Sequence, residues 1–172
     1  MTRTLTLLRH AKTERGDASM ADRDRRLVDR GREDAPAIAA WLADNVHAPD
    51  LVLCSTATRA RQTWQLAAPL VAPARVEFRD DLYLAEADQL LAIVRTVPDA
   101  VEHLMIVGHN AGLEDFAHEL VATGNPDDLA AMAAKFPTSG VAILECDAAT
   151  WRDLDLASAH LLHFMTPRRL DG

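Results

Sequence analysis

The sequence lacks most of the features that would remove it from the class of ordinary globular chains. Two cysteines, Cys54 and Cys146, are too few for a disulfide scaffold. Each sits in an apolar run, where a reduced and buried thiol is expected. No apolar run approaches the roughly 20 residues needed to cross a bilayer, which excludes a membrane-spanning helix. The opening Met-Thr-Arg, with only a few apolar residues behind it, shows no secretory signal. Aromatics are scarce at 5%, so Leu, Ala and Val must fill most of the core. Lysine is rarer still: of 18 basic residues only Lys12 and Lys135 are lysines. A net charge of −8 argues against general nucleic-acid binding. No repeat, low-complexity tract or long flexible linker divides the chain. With 172 residues, 49% of them apolar, one soluble cytoplasmic domain over residues 1–172 is expected, with a real core and no membrane or nucleic-acid partner.

Short apolar runs alternate with amphipathic stretches, the pattern of an α/β domain. Strands are expected at Leu5–Leu8, Leu51–Cys54, Leu104–Val107 and Val141–Glu145, with a short edge strand at Val76–Phe78 and a last one within Ala157–Phe164. Helices are expected over Leu27–Asn45, with Asp29 as N-cap, over Ala57–Ala68 and over Glu86–Val97. A further helix runs from Leu113 to Val121 and a short one from Leu129 to Lys135, after a break at Gly124-Asn125-Pro126. The sum is a three-layer α/β/α sandwich around a mostly parallel sheet.

Ligands of open α/β sheets bind at the carboxyl ends of the strands. Here one strand runs into Arg9-His10-Ala11-Lys12, a second into Ser55-Thr-Ala-Thr-Arg59 and a third into Gly108-His109-Asn110. Each piece alone is unremarkable in a chain rich in arginine. Parallel strands place all three exits on one edge, so two arginines and two histidines could converge. That combination suits phosphoryl transfer. Arginines present planar forks of donors to a phosphate, one neutral imidazole attacks phosphorus, and the other stabilises the charge that develops. If Arg and His supply the positive field, the chemistry needs no metal or other cofactor.

Three segments carry a family resemblance: Leu7-Leu-Arg-His-Ala-Lys12, Ser55-x-x-x-Arg-Ala-x-Gln-Thr63 and Val107-Gly-His-Asn110. Together they resemble the histidine phosphatase superfamily, whose fold is phosphoglycerate mutase-like. The short chain and the Arg-His-Ala-Lys variant look like the SixA-type phosphohistidine phosphatases. Arg26-Leu-Val-Asp-Arg-Gly31, Phe136-Pro-Thr-Ser-Gly140 and Phe164-Met-Thr-Pro167 fit the same pattern. The resemblance implies His10 as the nucleophile that is transiently phosphorylated, Arg9 and Arg59 as the phosphate clamp, and His109 as the group stabilising the transition state. It implies a phosphohistidine on a protein as the favoured substrate, with small phosphoesters or pyrophosphates as the alternative. A non-catalytic phosphate- or protein-binding module is the reading from a different class.

Two departures stand out. Ala11 replaces the glycine of the family's motif, which a negative φ would accommodate. The segment in which many relatives carry a glutamate proton donor reads Asp81-Leu-Tyr-Leu84-Ala-Glu86-Ala-Asp88, with Leu84 at the matching position and Asp81, Glu86 and Asp88 unassigned. An alkoxide leaving group needs such an acid, and a phosphoramidate needs it less. Other positions remain open between function and structure. Ser55 bonds the phosphate or caps a helix. Lys12 adds field at the rim or is solvated. Asn110 orients His109 or caps the helix after it. His47, His103, His118, His160 and His163 have no matching partners and are read as structural. The stretch Asp22 to Asp34, with five arginines against five carboxylates, is a salt-bridged surface or a cover over the site.

Overall fold

The computed structural model describes all residues from Met1 to Gly172. Seven strands form one sheet: β1 (Thr2–Arg9), β2 (Leu51–Ser55), β3 (Val76–Arg79), β4 (His103–Gly108), β5 (Val121–Gly124), β6 (Val141–Asp147) and β7 (Ala159–Met165). Their spatial order is β3-β2-β4-β1-β6-β7-β5. β3, β2, β4 and β1 pair in parallel, β6 runs antiparallel to both β1 and β7, and β5 returns parallel to β7. Six strands therefore point one way and β6 alone points back, the mostly parallel sheet expected of this pattern.

Alternation along the strands builds two cores. Leu5 and Leu7, Leu51 and Leu53, and Leu104 and Ile106 face one side. Leu8, Val52, Cys54, Met105 and Val107 face the other. On the first side lie the stripes of α3 (Ala87–Val94), α4 (Gly112–Leu120) and α5 (Pro126–Ala134). On the second lie α1 (Asp29–Asn45) and α2 (Thr58–Val71), with Leu170 of the four-residue α6 (Pro167–Leu170) packed beside them. Cys54 and Cys146 fall on opposite faces as free, buried thiols, each pushed up to about 12 by burial. No helix is long and apolar enough to cross a membrane.

Several boundaries differ from the sequence reading, each for a tertiary reason. α1 starts at Asp29, not Leu27, and Asp29 is not its cap. Val28 takes that position, and no side chain caps the helix. Leu27 is held extended by a bridge to Thr13 and by donating its N–H to Gln62 Oε1, while Val28 donates to Lys12 O. α2 runs past Ala68 through Pro69 to Val71 and ends on Ala72 at φ 48°. α3 is shorter than the stripe suggests. A capping box between Glu86 and Gln89 opens it, and the turns before Pro98 finish the stripe outside the helix. Val121 leaves α4 and starts β5, an edge strand whose exposed Ala122 and Thr123 hide its pattern. The break at Asn125-Pro126 is the start of α5: Asn125 Oδ1 accepts from the Asp127 and Asp128 N–H groups, and Pro126 occupies the first turn. His103 opens β4 as a buried residue 2.8 Å from Thr6 Oγ1.

One close approach ties α1 to the chain just after β1. A Cβ on Gly31 would lie 2.3 Å from Lys12 O, backbone that cannot swing aside. Gly31→Ala is therefore expected to lower stability by about 2 kcal/mol, a drop in Tm of about 4–8 °C. Gly16→Ala, whose Cβ meets only the flexible Arg25 side chain at 3.1 Å, is the control and should melt near wild type in a calorimetric scan.

Candidate active site

The β1–β4 register pairs Arg9 with Gly108, so His10 and His109 leave adjacent parallel strands side by side. The His10 N–H donates to Gly108 O at 3.1 Å, and the two imidazole centroids stand 5.3 Å apart. β2 delivers Ser55 to the same edge, and the first turn of α2 turns Arg59 inward. His10, His109 and Arg59 are 5%, 3% and 2% exposed, so the group is nearly closed over.

Neighbouring backbone fixes the loop that follows β1. Ser139 N–H bifurcates to the carbonyls of Arg9 and His10 at 3.2 and 3.1 Å, and Arg9 N–H reaches Gly140 O at 3.0 Å. Thr63 Oγ1 accepts from Ala11 N at 2.9 Å and donates to Arg59 O at 2.8 Å, so α2 holds both the loop and its own arginine. Ala11 is not among the residues at positive φ, and its methyl is buried against Leu27 and Ala35. The alanine therefore costs the loop nothing in conformation.

His10 Nδ1 lies 2.8 Å from Ala11 O, a carbonyl that can only accept. The proton is thus on Nδ1, and Nε2 carries the free lone pair. His109 Nε2 lies 2.8 Å from Ser55 Oγ, and the Ala57 N–H donates to the same Oγ at 3.2 Å. Burial lowers the pKa of His10 to about 3, with the charges of His109, Arg59 and Arg9 adding to it against the opposing bond to Ala11. Burial likewise lowers His109 to about 3, with Arg59 the next cause in the same direction. Both rings are neutral at pH 7. Burial also lowers the pKa of Arg9, opposed by Glu114 and aided by Arg59. Arg9 donates through Nη1 to Phe136 O at 3.1 Å. The Nε atoms of Arg9 and Arg59, His109 Nδ1 and Ser139 Oγ are buried with no partner inside the protein, which leaves several hydrogen-bonding groups uncommitted around the two rings.

Asp22 and Tyr83 were not singled out in the sequence. Asp22 Oδ2 accepts from Arg59 Nη2 at 3.0 Å and from the Tyr83 hydroxyl, and Asp22 O accepts from Arg59 Nη1 at 2.8 Å. Tyr83 packs edge-on against His109, with centroids 5.5 Å apart. The tyrosine hydroxyl first, and then Arg59, hold the Asp22 carboxyl below its usual range despite partial burial. The stretch after Asp22 is the salt-bridged surface of the plainer reading: Arg25 pairs with Asp22, Arg26 with Glu14, Arg30 with Asp34 and Arg32 with Asp29. Its first residues reach the site: Asp22 bonds Arg59, Arg23 lies 4.8 Å from the Tyr83 ring centroid, and the Arg25 charge acts on His109. Local sequence could not show this, because Asp22 looks like any other acid among the arginines.

The remaining candidates disperse. Ser55 touches His109 and is not the N-cap of α2, a place taken by Ala57. Asn110 donates to Phe136 O and Glu114 Oε2 at 2.8 and 3.2 Å, so it braces the wall beside Arg9 and neither orients His109 nor caps α4. Lys12 is exposed and borders a separate cleft. Asp81 pairs with Arg79, Glu86 caps α3, and Asp88 accepts from the adjacent Gln89 N–H. Leu84 is exposed at φ 50°. No group of three or more His, Cys, Asp or Glu side chains is disposed to hold a metal ion.

The family model of the histidine phosphatase superfamily (branch 1) matches residues 5–88. An uncharacterized protein of Mycobacterium leprae is 39% identical over 165 residues, spanning 94% of this chain and all of its own length. The solved structure provisionally named phosphohistidine phosphatase SixA from Nakamurella multipartitia is 31% identical, with a TM-score of 0.82 and 97% of each chain covered. The corresponding protein of Agrobacterium tumefaciens is 32% identical at a TM-score of 0.80, covering 96% of this chain and 98% of its own. A protein histidine phosphatase SixA complexed with tungstate, at 20% identity and a TM-score of 0.76, shares the fold over 97% of this chain and 99% of its own.

The depressed imidazoles link the site to stability. Between pH 6.5, where a free His titrates, and about 3, the unfolded chain takes up protons that the folded site refuses, so stability falls as pH is lowered through that window. Tm measured from pH about 7 down to about 4 is expected to decline, and His10→Gln and His109→Gln should each flatten the slope. An unchanged slope in both variants would mean that the rings protonate in the folded protein.

Proposed function

This chain belongs to the histidine phosphatase superfamily as a SixA-type member, and we propose that it hydrolyses phosphohistidine on a protein through a phospho-His10 intermediate. The observation that carries the reading is the pairing of His10 Nδ1 with Ala11 O, which aims an unprotonated Nε2 into a cluster holding Arg9, Arg59 and His109. In the first step the Nε2 lone pair forms a bond to phosphorus, and the bond from phosphorus to the substrate's imidazole nitrogen breaks. Its electron pair returns to that ring, which departs neutral when its other nitrogen carries a proton. Arg9 and Arg59 neutralise the phosphoryl oxygens. In this reading Ser55 gives its hydroxyl proton to His109 Nε2, 2.8 Å away, which leaves the His109 proton on Nδ1 to donate to the transferring group. In the second step water attacks phosphorus. The His10–phosphorus bond breaks, inorganic phosphate leaves, and His10 returns to its starting tautomer.

Leaving-group chemistry supports phosphohistidine over an alkyl phosphoester. Of the two carboxylates beside the cluster, Asp22 is held ionised by Tyr83 and Arg59 and has no proton to give near neutral pH, and Glu114 accepts from Asn110 on the Arg9 side. The acids of the middle segment are engaged elsewhere, in the Arg79 pair and the α3 cap. An imidazole leaves without such a proton, and an alkoxide does not.

Incubation with phosphohistidine protein and an alkaline quench should trap an acid-labile, base-stable label on His10. His10→Asn should carry no label and lose turnover by about a thousandfold or more. A fully active, unlabelled variant would end the covalent proposal, and faster turnover of ordinary alkyl phosphomonoesters would redirect the substrate assignment. Ser55→Ala is expected to lower kcat by about 10–100-fold with KM little changed, because it frees the tautomer of His109. Steady-state kinetics on a folded variant checks this.

A further inference from the structure

We propose that the cleft beside the catalytic loop, lined by Lys12, Arg30, Lys135, Arg168 and Arg169, is a docking surface for an acidic face of the phosphoprotein substrate. The inference rests on the phosphohistidine phosphatase reading and names where the rest of that substrate sits. Both lysines of the chain lie in this one cleft. Five cationic side chains line the cleft with one carboxylate, Asp34, while Asp171 and Asp128 pair with two of the cations from its margin, on a protein whose net charge is −8. Arg30 is engaged by Asp34 and Asp171, and Arg169 by Asp128. Lys12, Lys135 and Arg168 are exposed and have no acidic partner.

Position ties this surface to the chemistry. The cleft lies along the same carboxyl edge of the sheet, where β1 and β7 end and β6 begins. The segment Phe136–Gly140 is a shared wall. Phe136 O, Ser139 N and Gly140 O hold Arg9 and His10 on one side, while Pro137 and Thr138 line the cleft on the other. A group bound in the cleft is therefore one short loop away from the nucleophile.

Size and flexibility select the occupant. The cleft has a volume of about 470 Å³, larger than a lone phosphate requires. Its unpaired cations are exposed, on long unbranched stems that suit several surface carboxylates better than one fixed anion. His10 is only 5% exposed, so a projecting phosphoimidazole enters while the body of its carrier rests outside, against this rim. With a Debye length of roughly 8 Å, the local cations outweigh the distant net negative charge at contact range.

Three substrates test this: a phosphohistidine peptide flanked by glutamates, the same peptide with glutamines in their place, and free phosphohistidine. At low ionic strength wild type should show kcat/KM about tenfold higher for the acidic peptide than for the neutral one, shrinking as salt rises. The charge-reversed pair Lys135→Glu/Arg168→Glu should abolish that preference and leave the neutral peptide and free phosphohistidine unchanged. The milder Lys135→Gln/Arg168→Gln should give an intermediate loss. No preference in wild type, a preference that survives both variants, or an equal loss on all three substrates in the milder variant would overturn the docking surface and leave the phosphatase reading standing. If wild type cleaves none of the three yet hydrolyses a pyrophosphate, the phosphohistidine reading fails and the docking surface fails with it.

Discussion

The placement of the two histidines depends on one backbone pairing. β1 and β4 run parallel in a register that sets Arg9 against Gly108, and the bond from His10 N–H to Gly108 O carries that register one residue past the end of β1. A shift of one position would turn each following side chain to the opposite face of the sheet. Strands buried on both faces resist such a slip: Leu5, Leu7, Leu8, Leu104, Met105, Ile106 and Val107 are all fully or almost fully buried. Core packing on both sides is thus what holds two imidazoles 5.3 Å apart.

The same burial governs the electrostatics. A free imidazole near two guanidiniums would be disfavoured as a cation through charge alone. Here loss of solvent is the larger cause, and the arginines add to it. A neutral imidazole can therefore persist within a strongly positive field, the combination that the proposed phosphoryl transfer requires. Asp22 tempers that field by engaging two Arg59 nitrogens, one through its carboxylate and one through its backbone carbonyl. The Arg59 guanidinium is thereby held in a set orientation.

Much of this was legible in the residues. The stripes Ala35, Ile38, Ala39, Leu42 and Leu113, Phe116, Ala117, Leu120 lie on the buried faces of their helices, and the apolar runs are strands. The exits Arg9-His10, Ser55–Arg59 and His109 share one edge, as parallel strands require. Less legible were segments whose local signals were ambiguous. Val121 continued a helical stripe by spacing yet pairs with β7. Asn125-Pro126 reads equally as a break and as a helix start. Leu27 fits the pattern of α1 but is pulled out of it by Thr13 and Gln62.

By itself the sequence determined the kinds of elements, their order and the residues placed at the strand exits, because periodicity, turn chemistry and strand direction are properties of short stretches of chain. Tertiary structure alone decided that Asp22 reaches Arg59 and Tyr83 packs on His109, that Asn110 braces a wall, and that Lys12 and Lys135 meet in one cleft. Those relations join residues distant along the chain through side chains whose types are common on any surface. They exist only once the sheet has closed its register and the helices have settled on its two faces.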